Sequence, residues 1–232
     1  MDKITLEIDG IRIKTTRGMS VLEAAQKVDI YIPTLCHHPK LSPFGSCRLC
    51  AVEIEGMPGF PSACITPTRD GMVVHTNTPL VQEVRRYFLG AILSQHPHIC
   101  LSCEYRDQCE PQQECKKGVP LAERCCSLFH DCALMKVADY IGIPDGLPPY
   151  KPRNLPVVTE KSLFMDYNLC ISCGICVRVC QEIIGVGALG FVTRNDRLEI
   201  GPVAGSFKES GCKFCSACIK VCPTGALRAM QG

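Results

Sequence analysis

The sequence predicts an α+β protein made of small domains in series, and three observations support this prediction. The first 15 residues alternate between apolar and polar types, as in a strand with one buried face. A helical pattern of apolar residues begins at Pro79. Near the end, one cysteine spacing occurs twice, at Cys170–Cys180 and at Cys212–Cys222. These signals lie in separate parts of the 232-residue chain, so we expect several small cores.

The N-terminal segment predicts a hairpin followed by a helix. Asp9-Gly10 is a hairpin turn pair, and Ser20 with Glu23 three residues later is a capping box that opens a short helix. Strand-like segments follow at 50–54 and 72–75. We therefore expect a small α+β domain over residues 1–78. The alternating apolar residues of the hairpin are Ile4, Leu6, Ile8, Ile11 and Ile13.

The middle of the chain predicts a small helical domain over residues 79–143. Pro79 suits the first turn of a helix that runs to about Ser94, and a second helix is expected over 134–141. Five prolines lie within 144–156, which predicts a stiff linker over residues 144–160. The repeat then occupies residues 161–232. The apolar stripe expected on the first helix is Leu80, Val84, Phe88 and Ile92.

Composition narrows the class of protein. Apolar residues make up 46% of the chain and charged residues 21%, which is typical of a globular protein and not of disorder. The formal net charge of +2 excludes a polyanion binder driven by bulk charge. No apolar run reaches the length of a membrane span, and the start does not have the pattern of a signal peptide. A cytoplasmic location is the expectation, and 19 cysteines there indicate metal binding rather than disulfides.

The C-terminal repeat predicts two [4Fe–4S] clusters. Cysteines spaced C-x2-C-x2-C surround one face of a cubane, and the fourth cysteine of each run ligates the other cluster. Structural zinc is the alternative, although zinc sites usually show two C-x2-C pairs with a longer spacer. One predicted set is therefore Cys170, Cys173, Cys176 and Cys222, and the other is Cys180, Cys212, Cys215 and Cys218.

A second group of four cysteines lies near the N-terminus, at Cys36, Cys47, Cys50 and Cys64. Gly45 and Ser46 precede Cys47, where free backbone N–H groups could donate to cluster sulfur. The spacing is longer than that of plant-type ferredoxins. Disulfides are the alternative.

These motifs together resemble a known family. The N-terminal cysteines and the preceding hairpin and helix resemble the β-grasp [2Fe–2S] domain that opens the large iron–sulfur subunit of complex I, many iron-only hydrogenases and NAD-linked formate dehydrogenases. The repeat resembles two-cluster bacterial ferredoxins over residues 161–232, except that Gln181 replaces a proline. The resemblance implies a [2Fe–2S] cluster on the N-terminal cysteines. It also implies a third [4Fe–4S] cluster held by His96, Cys100, Cys103 and Cys109.

Other histidines and cysteines nearby leave alternatives open. His98 is interpreted as a surface or hydrogen-bonding residue, and so are His37 and His38. Four cysteines remain unassigned, and they either bind a fifth cluster or are buried thiols. Cys126-x5-Cys132 repeats the spacing of Cys103-x5-Cys109, which favours a cluster, whereas adjacent side chains tend to diverge. The remaining cysteines are Cys115, Cys125, Cys126 and Cys132.

Two further sequence patterns are not expected to bind a dinucleotide or a nucleic acid. Gly185–Gly190 matches G-x-G-x-x-G, but the motif binds dinucleotides only after a strand and at the start of a helix. Here it precedes the strand-like Phe191–Thr193. Arg85-Arg86 and Lys116-Lys117 are interpreted as charge pairs on solvated faces, not as a nucleic-acid patch.

The sequence therefore predicts an electron-transfer subunit without a substrate site of its own, carrying one [2Fe–2S] and three or four [4Fe–4S] clusters. The resemblance implies a subunit of a soluble NAD(P)-linked complex from an anaerobe, with an NAD(P)-binding flavoprotein and ferredoxin as partners. Because the sequence stops ten residues after Cys222, we expect no catalytic domain and favour the small iron–sulfur subunit of electron-bifurcating, Sporomusa-type transhydrogenases. The alternatives are a subunit of a hydrogenase or formate dehydrogenase complex, and a zinc-stabilised binding module.

Overall fold

The computed structural model describes residues 3–194 and 196–230. Within these ranges the strands form three separate sheets, and the longer helices lie in the middle of the chain. The architecture is mixed α/β. No helix of the described residues is long and apolar enough to cross a membrane.

The first sheet contains the predicted hairpin. Strands β1 (Lys3–Ile8) and β2 (Ile11–Thr16) pair antiparallel, and the turn residues Asp9 and Gly10 both have positive φ. Two short strands follow, β3 (Glu53–Ile54) and β4 (Val73–His75), and the order in the sheet is β2-β1-β4-β3 with β4 parallel to β1. The predicted strand from residue 50 is therefore shorter than expected. Residues 50–52 instead turn into the cysteine loop.

Helix α1 (Val21–Gln26) packs on this sheet. The predicted capping box is confirmed: the Glu23 N–H donates to Ser20 Oγ at 3.2 Å, and the Ser20 N–H donates to Glu23 Oε2 at 2.8 Å. The buried face of α1 contacts Leu6, Ile8 and Val74 of the sheet.

Helix α2 (Pro79–Leu93) forms over the predicted residues but buries a different face. Leu80 of the expected stripe is 54% exposed, and the buried residues are Val81, Arg85, Leu89 and Leu93. The neighbouring face is buried because Arg85 Nη2 donates to the Ala51 carbonyl at 2.9 Å, which gives this cation a partner inside the protein. The interpretation of Arg85 as a solvated residue was wrong.

Between residues 94 and 156 most of the chain has no regular secondary structure, and short 3-10 turns interrupt it. They lie at Ile99–Ser102, Arg106–Gln108, Leu121–Glu123 and Phe129–Asp131. Helix α3 (Ala133–Ile141) follows as predicted and packs against α2. The proline-rich segment has no helix or strand over 144–156, and Pro144 packs against Gly90 of α2.

The C-terminal part contains two small antiparallel sheets. Strands β5 (Val157–Glu160), β6 (Leu163–Asp166) and β9 (Leu227–Ala229) form one in the order β5-β6-β9, and β7 (Leu189–Arg194) with β8 (Arg197–Pro202) forms the other. Helix α4 (Ile175–Arg178), extended by a π turn over Val179–Ile183, and helix α5 (Ala217–Lys220) follow the two cysteine loops. The glycine motif at 185–190 leads into strand β7, so its order is the reverse of a dinucleotide site.

Candidate metal centres

The two C-terminal cysteine loops have the same backbone shape. Ser172 and Gly174 have φ values of 53° and 74°, and the equivalent Phe214 and Ser216 have values of 51° and 61°. These left-handed residues turn backbone N–H groups towards sulfur. The Ser172 N–H donates to Cys170 Sγ and the Phe214 N–H donates to Cys212 Sγ, both at 3.4 Å. Such donors stabilise a thiolate or cluster sulfur.

The structure groups the thiols of the repeat across the two loops. Burial raises the pKa of Cys176 well above its usual value, and the thiolates of Cys173, Cys170 and Cys222 raise it further. Cys222 therefore lies with the Cys170 loop although it follows the other one. The second predicted set, Cys180, Cys212, Cys215 and Cys218, lines one small cavity. The structure thus brings together the four thiols of each predicted set, and their role as ligands stays a prediction.

The N-terminal cysteines form two close pairs. Cys36 Sγ and Cys47 Sγ are 3.4 Å apart, and so are Cys50 Sγ and Cys64 Sγ. A tetrahedral metal with a metal–sulfur bond of about 2.3 Å separates two thiolates by about 3.8 Å. Two such pairs are what two irons with two thiolates each require. The donor set therefore fits a [2Fe–2S] cluster.

Hydrogen bonds favour ionised thiols in this loop. The Cys47 thiol donates to Cys36, and with the backbone N–H groups of Cys47 and Ser46 it lowers the pKa of Cys36 to about 5, against the effect of burial. A hydrogen bond from the Cys64 thiol likewise lowers the pKa of Cys50 to about 7. Thiolates are the form that binds iron.

The predicted third set is only partly brought together. Cys100, Cys103 and Cys109 line one cavity of about 390 Å³, together with Cys115, and His96 is not among the residues that line it. His96 Nδ1 is hydrogen-bonded to the Pro97 carbonyl at 2.8 Å, so Nδ1 carries the proton. Its Nε2 is enclosed and has no hydrogen-bond partner in the described structure. Burial lowers the pKa of His96 to about 4, so the ring is neutral with a free lone pair, the state in which imidazole binds metal.

The neighbouring histidines differ from one another. His98 is buried and its Nδ1 is hydrogen-bonded to the carbonyls of Leu93 and His96, so it is a hydrogen-bonding histidine and not a surface one. Both ring nitrogens of His37 are enclosed without a partner in the described part of the chain, whereas His38 Nδ1 accepts from the Lys40 N–H at 3.3 Å.

The four remaining cysteines do not converge on one point. Cys115 lines the cavity of the third set. The Cys125 N–H donates to Cys100 Sγ at 3.3 Å, and its thiol donates to the Pro97 carbonyl. Cys126 packs with Leu169 and Ala226, and the Cys132 thiol donates to the Pro223 carbonyl at 3.6 Å. No group of three or more His, Cys, Asp or Glu side chains in residues 3–194 and 196–230 is arranged to hold a single metal ion.

Two buried arginines lie beside these thiols, and neither is predicted as buried from the sequence. Arg178 lies on α4 between two cysteines of the repeat and is 8% exposed, and Arg85 is fully buried beside the Cys50 loop. Apolar periodicity cannot predict a buried cation. The only signal for Arg178 is its position between Cys176 and Cys180.

Comparison with known proteins defines the class of this chain. Residues 1–79 match the model of a 2Fe-2S iron-sulfur cluster binding domain. Residues 162–228 match the model of the ferredoxin-like domain of NADH-quinone oxidoreductase subunit 3. The chain is therefore an iron–sulfur protein that combines a [2Fe–2S] domain with a ferredoxin-like domain.

Two curated proteins are similar to this chain over nearly its whole length. The chain is 36% identical over 98% of its length to an NADH-quinone oxidoreductase subunit of Rhizobium meliloti (strain 1021), and 34% identical over 98% to NADP-reducing hydrogenase subunit HndD of Solidesulfovibrio fructosivorans. It covers 24% and 36% of those two proteins. The chain is therefore similar, over nearly its whole length, to one part of a subunit of NADH-quinone oxidoreductase and of a subunit of an NADP-reducing hydrogenase.

A solved structure is similar over the whole chain. It is a crystal structure of NAD+-reducing [NiFe]-hydrogenase in the H2-reduced state, with a TM-score of 0.77 and 26% sequence identity. The match covers 99% of this chain and 88% of the solved chain. Unlike the curated relatives above, this solved chain is of similar length.

Proposed function

We propose that this chain is a multi-cluster electron-transfer subunit of an NAD(P)-linked oxidoreductase complex. The observation that carries the proposal is the contact between two thiol loops that are distant in sequence. Ser46 Oγ donates to the Cys173 carbonyl at 3.5 Å, and the Cys36 thiolate is among the groups that raise the pKa of Cys173, after burial. Electrons can pass between centres only when the centres lie close together, and this contact would keep two clusters bound by these loops near each other.

The residues of this chain would hold and insulate the clusters. Each cluster, when bound, accepts and releases electrons singly. The N-terminal pairs would hold a [2Fe–2S] cluster, and the two sets of the repeat would each hold a [4Fe–4S] cluster. Cys50, Cys64, Cys173 and Cys176 are buried, which excludes water from their sulfurs. Backbone N–H groups, such as that of Ser172, would donate to sulfur and stabilise the reduced form.

The different electron chemistry of nicotinamides and iron–sulfur clusters indicates a flavoprotein partner. Nicotinamides exchange a hydride, which carries two electrons, whereas iron–sulfur clusters exchange electrons one at a time. A flavin can do both, so an NAD(P)-binding flavoprotein subunit would stand between the nucleotide and this chain. Within this class we propose the electron-bifurcating transhydrogenase type, in which ferredoxin exchanges electrons with the C-terminal clusters.

A hydrogenase complex is the second candidate, and a specific observation favours it. The solved chain that this protein covers to 88% comes from an NAD+-reducing [NiFe]-hydrogenase, and a curated relative is a subunit of an NADP-reducing hydrogenase. A formate dehydrogenase complex would use the chain in the same way, although no relative described above favours it.

The test is anaerobic purification from the native source with identification of the co-purifying subunits. A flavoprotein partner is expected in either case. Reduction of ferredoxin by NADPH would support the transhydrogenase, and hydrogen-dependent reduction of NAD(P)+ would support the hydrogenase. A colourless chain without iron, or an iron–sulfur chain that purifies without any flavoprotein, would overturn the proposal.

A further inference from the structure

One predicted cluster site of the repeat lies at the molecular surface. Cys215 is exposed, whereas every other cysteine of residues 3–194 and 196–230 is buried or half-buried. Cys215 belongs to the second predicted set of the repeat, which lines one small cavity. In the other set, Cys173 and Cys176 are buried. A cluster held by the second set would therefore be the more accessible of the two to a partner in solution.

Two exposed lysines flank the aromatic residue next to Cys215. Lys213 precedes Phe214 and is one of the residues that line the cavity. Lys161, in the turn between β5 and β6, places its Nζ 4.6 Å from the ring centroid of Phe214. A cation within about 6 Å of an aromatic face is attracted to it. Two segments that are distant in sequence thus bring positive charge to the same edge of the cavity.

Two further exposed lysines lie on the segments that enclose the cavity. Lys208 follows Phe207, whose buried side chain lines the cavity. Lys220 ends helix α5, which begins two residues after Cys215. We call the four exposed lysines the basic surface. Its members are Lys161, Lys208, Lys213 and Lys220.

The basic surface is not neutralised by ion pairs. None of its four lysines pairs with a carboxylate in the described part of the chain, whereas elsewhere Lys117 pairs with Glu104 and Lys136 pairs with Asp131. An exposed ammonium group without such a partner keeps its charge available to an approaching molecule. The basic surface can therefore attract anionic groups of another protein.

Lysines outnumber carboxylates on the segments that form this surface. Residues 160–163 and 207–220 contain its four lysines and two carboxylates, Glu160 and Glu209. The Glu160 carboxylate accepts two backbone N–H groups of the second segment at 2.9 and 2.8 Å, so it is directed towards the backbone. Positive charge is thus concentrated beside Cys215, although the formal net charge of the whole chain is only +2.

The composition of these segments favours a transient partner over a permanent subunit. None of the exposed large apolar residues of the described chain lies within 160–163 or 207–220. Permanent interfaces are large and hydrophobic, whereas electron-transfer encounters bury less than about 1,200 Å² in total. Complementary charge raises the rate of association more than the affinity. The surface is therefore suited to a carrier that binds, exchanges an electron and leaves.

We propose that the basic surface is the docking site of a small acidic one-electron carrier of the ferredoxin type, which exchanges electrons with the cluster of the Cys215 set. In the forward direction one electron leaves the reduced cluster and reduces the oxidised carrier, and no bond forms or breaks. The inference rests on the proposed function, because it requires that this set binds a cluster. It adds the residues and the charge by which the carrier is recognised.

The experiment compares charge-reversed variants of the full chain after anaerobic reconstitution and photoreduction. Stopped-flow absorbance measures the second-order rate constant for reduction of an acidic two-cluster ferredoxin and, separately, of a basic cytochrome c. The test variant is Lys161→Glu/Lys213→Glu. Lys14→Glu/Lys27→Glu is the matched control, because both lysines are exposed in the N-terminal domain and the net charge changes by the same amount.

The two carriers should respond in opposite directions. At low ionic strength the test variant should reduce ferredoxin about tenfold more slowly than the wild type, and cytochrome c faster. Both differences should disappear at about 1 M salt, where the screening length falls to about 3 Å. The control variant should react with both carriers at the wild-type rates. A damaged cluster would slow both reactions at every salt concentration.

Three results would overturn the inference. The first is a test variant that reduces ferredoxin at the wild-type rate, and the second is a loss of rate that salt does not remove. The third is an equal loss in the control variant, which would assign the effect to net charge and not to this surface. Failure of the proposed function looks different, because then the wild type itself would bind no iron or would purify without a flavoprotein.

Discussion

The guanidinium of Arg178 donates to the carbonyl of Cys36 at 2.5 Å, across 142 residues of sequence. Arg178 also donates to the Ser42 carbonyl, and it lies 5.3 Å from the ring centroid of Phe44. Its helix contains Cys176, so one buried cation joins the N-terminal cysteine loop to the C-terminal repeat. The position of this arginine leads to the first prediction.

Replacing Arg178 should lower the reduction potential of the [2Fe–2S] cluster. Reduction adds negative charge, which a nearby buried cation stabilises. Arg178→Gln removes that charge, while Arg178→Lys keeps it and loses the forked donor. Potentiometric EPR titration should show a lower potential for Arg178→Gln than for Arg178→Lys. Equal potentials in the two variants would mean that the arginine acts only as a structural link.

The same change should destabilise the contact between the two parts of the chain. The carbonyls of Cys36 and Ser42 lose a charged donor, and an unsatisfied buried acceptor costs about 1–3 kcal/mol. We expect faster proteolysis within residues 36–46 in both variants, and more in Arg178→Gln. Proteolysis at the wild-type rate would contradict this expectation.

Arg85 is a second buried cation, and replacing it tests independently whether buried positive charge raises the reduction potential of the [2Fe–2S] cluster. It donates to the Ala51 carbonyl, next to Cys50, and burial lowers its pKa while the Cys50 thiolate raises it. Arg85→Met should lower the potential of the [2Fe–2S] cluster and leave the potentials of the repeat unchanged. Arg86→Met is the matched control because Arg86 is exposed. A shift of equal size in both variants would rule out a specific effect of Arg85.

The crossed arrangement of the repeat predicts the effect of Cys180→Ala. Cys180 lines a cavity with Cys212, Cys215 and Cys218, although it follows the Cys170 loop in sequence. The variant should therefore damage the cluster of the second loop, and spin coupling between the two reduced clusters should disappear from the EPR spectrum. If the Cys170 set is perturbed and the second cluster stays intact, each loop holds its own fourth ligand.

The two histidines near the third set should behave differently. His96 has an enclosed Nε2 without a described partner, whereas the Nδ1 of His98 binds two backbone carbonyls. His96→Cys should keep a [4Fe–4S] cluster at a lower potential, since a thiolate adds negative charge. His98→Ala should keep the cluster and its potential. Loss of a cluster in His98→Ala but not in His96→Ala would reverse the assignment.

Local features of the fold could be predicted from the sequence because neighbouring residues determine them. The turn at Asp9-Gly10 sets the register of the hairpin, and Ser20 with Glu23 caps a helix within four residues. The cysteine spacing of the repeat determines two loops of the same backbone shape. The turn, the helix cap and the cysteine loops each depend on residues that are close together in the sequence. Contacts with distant parts of the chain therefore have little influence on them.

The burial of α2 was decided by tertiary structure. Sequence periodicity favoured the wholly apolar stripe of Leu80, yet the helix buries Arg85, because a carbonyl 34 residues earlier accepts its hydrogen bond. A partner so distant in sequence leaves no periodic signal. Cys103 and Cys115 likewise line one cavity, and an ion pair between Lys117 and Glu104 joins the two segments that carry them.

Sequence by itself determined which residue types can bind iron and sulfur, since ligand chemistry and spacing are properties of the chain. Tertiary structure alone decided which of these groups are neighbours. The residues between Cys64 and Cys170 separate the N-terminal cysteines from the repeat along the chain, yet Arg178 joins the two in space. The physical reason is that a buried guanidinium needs carbonyl acceptors, and folding supplies them from whichever segment packs against it.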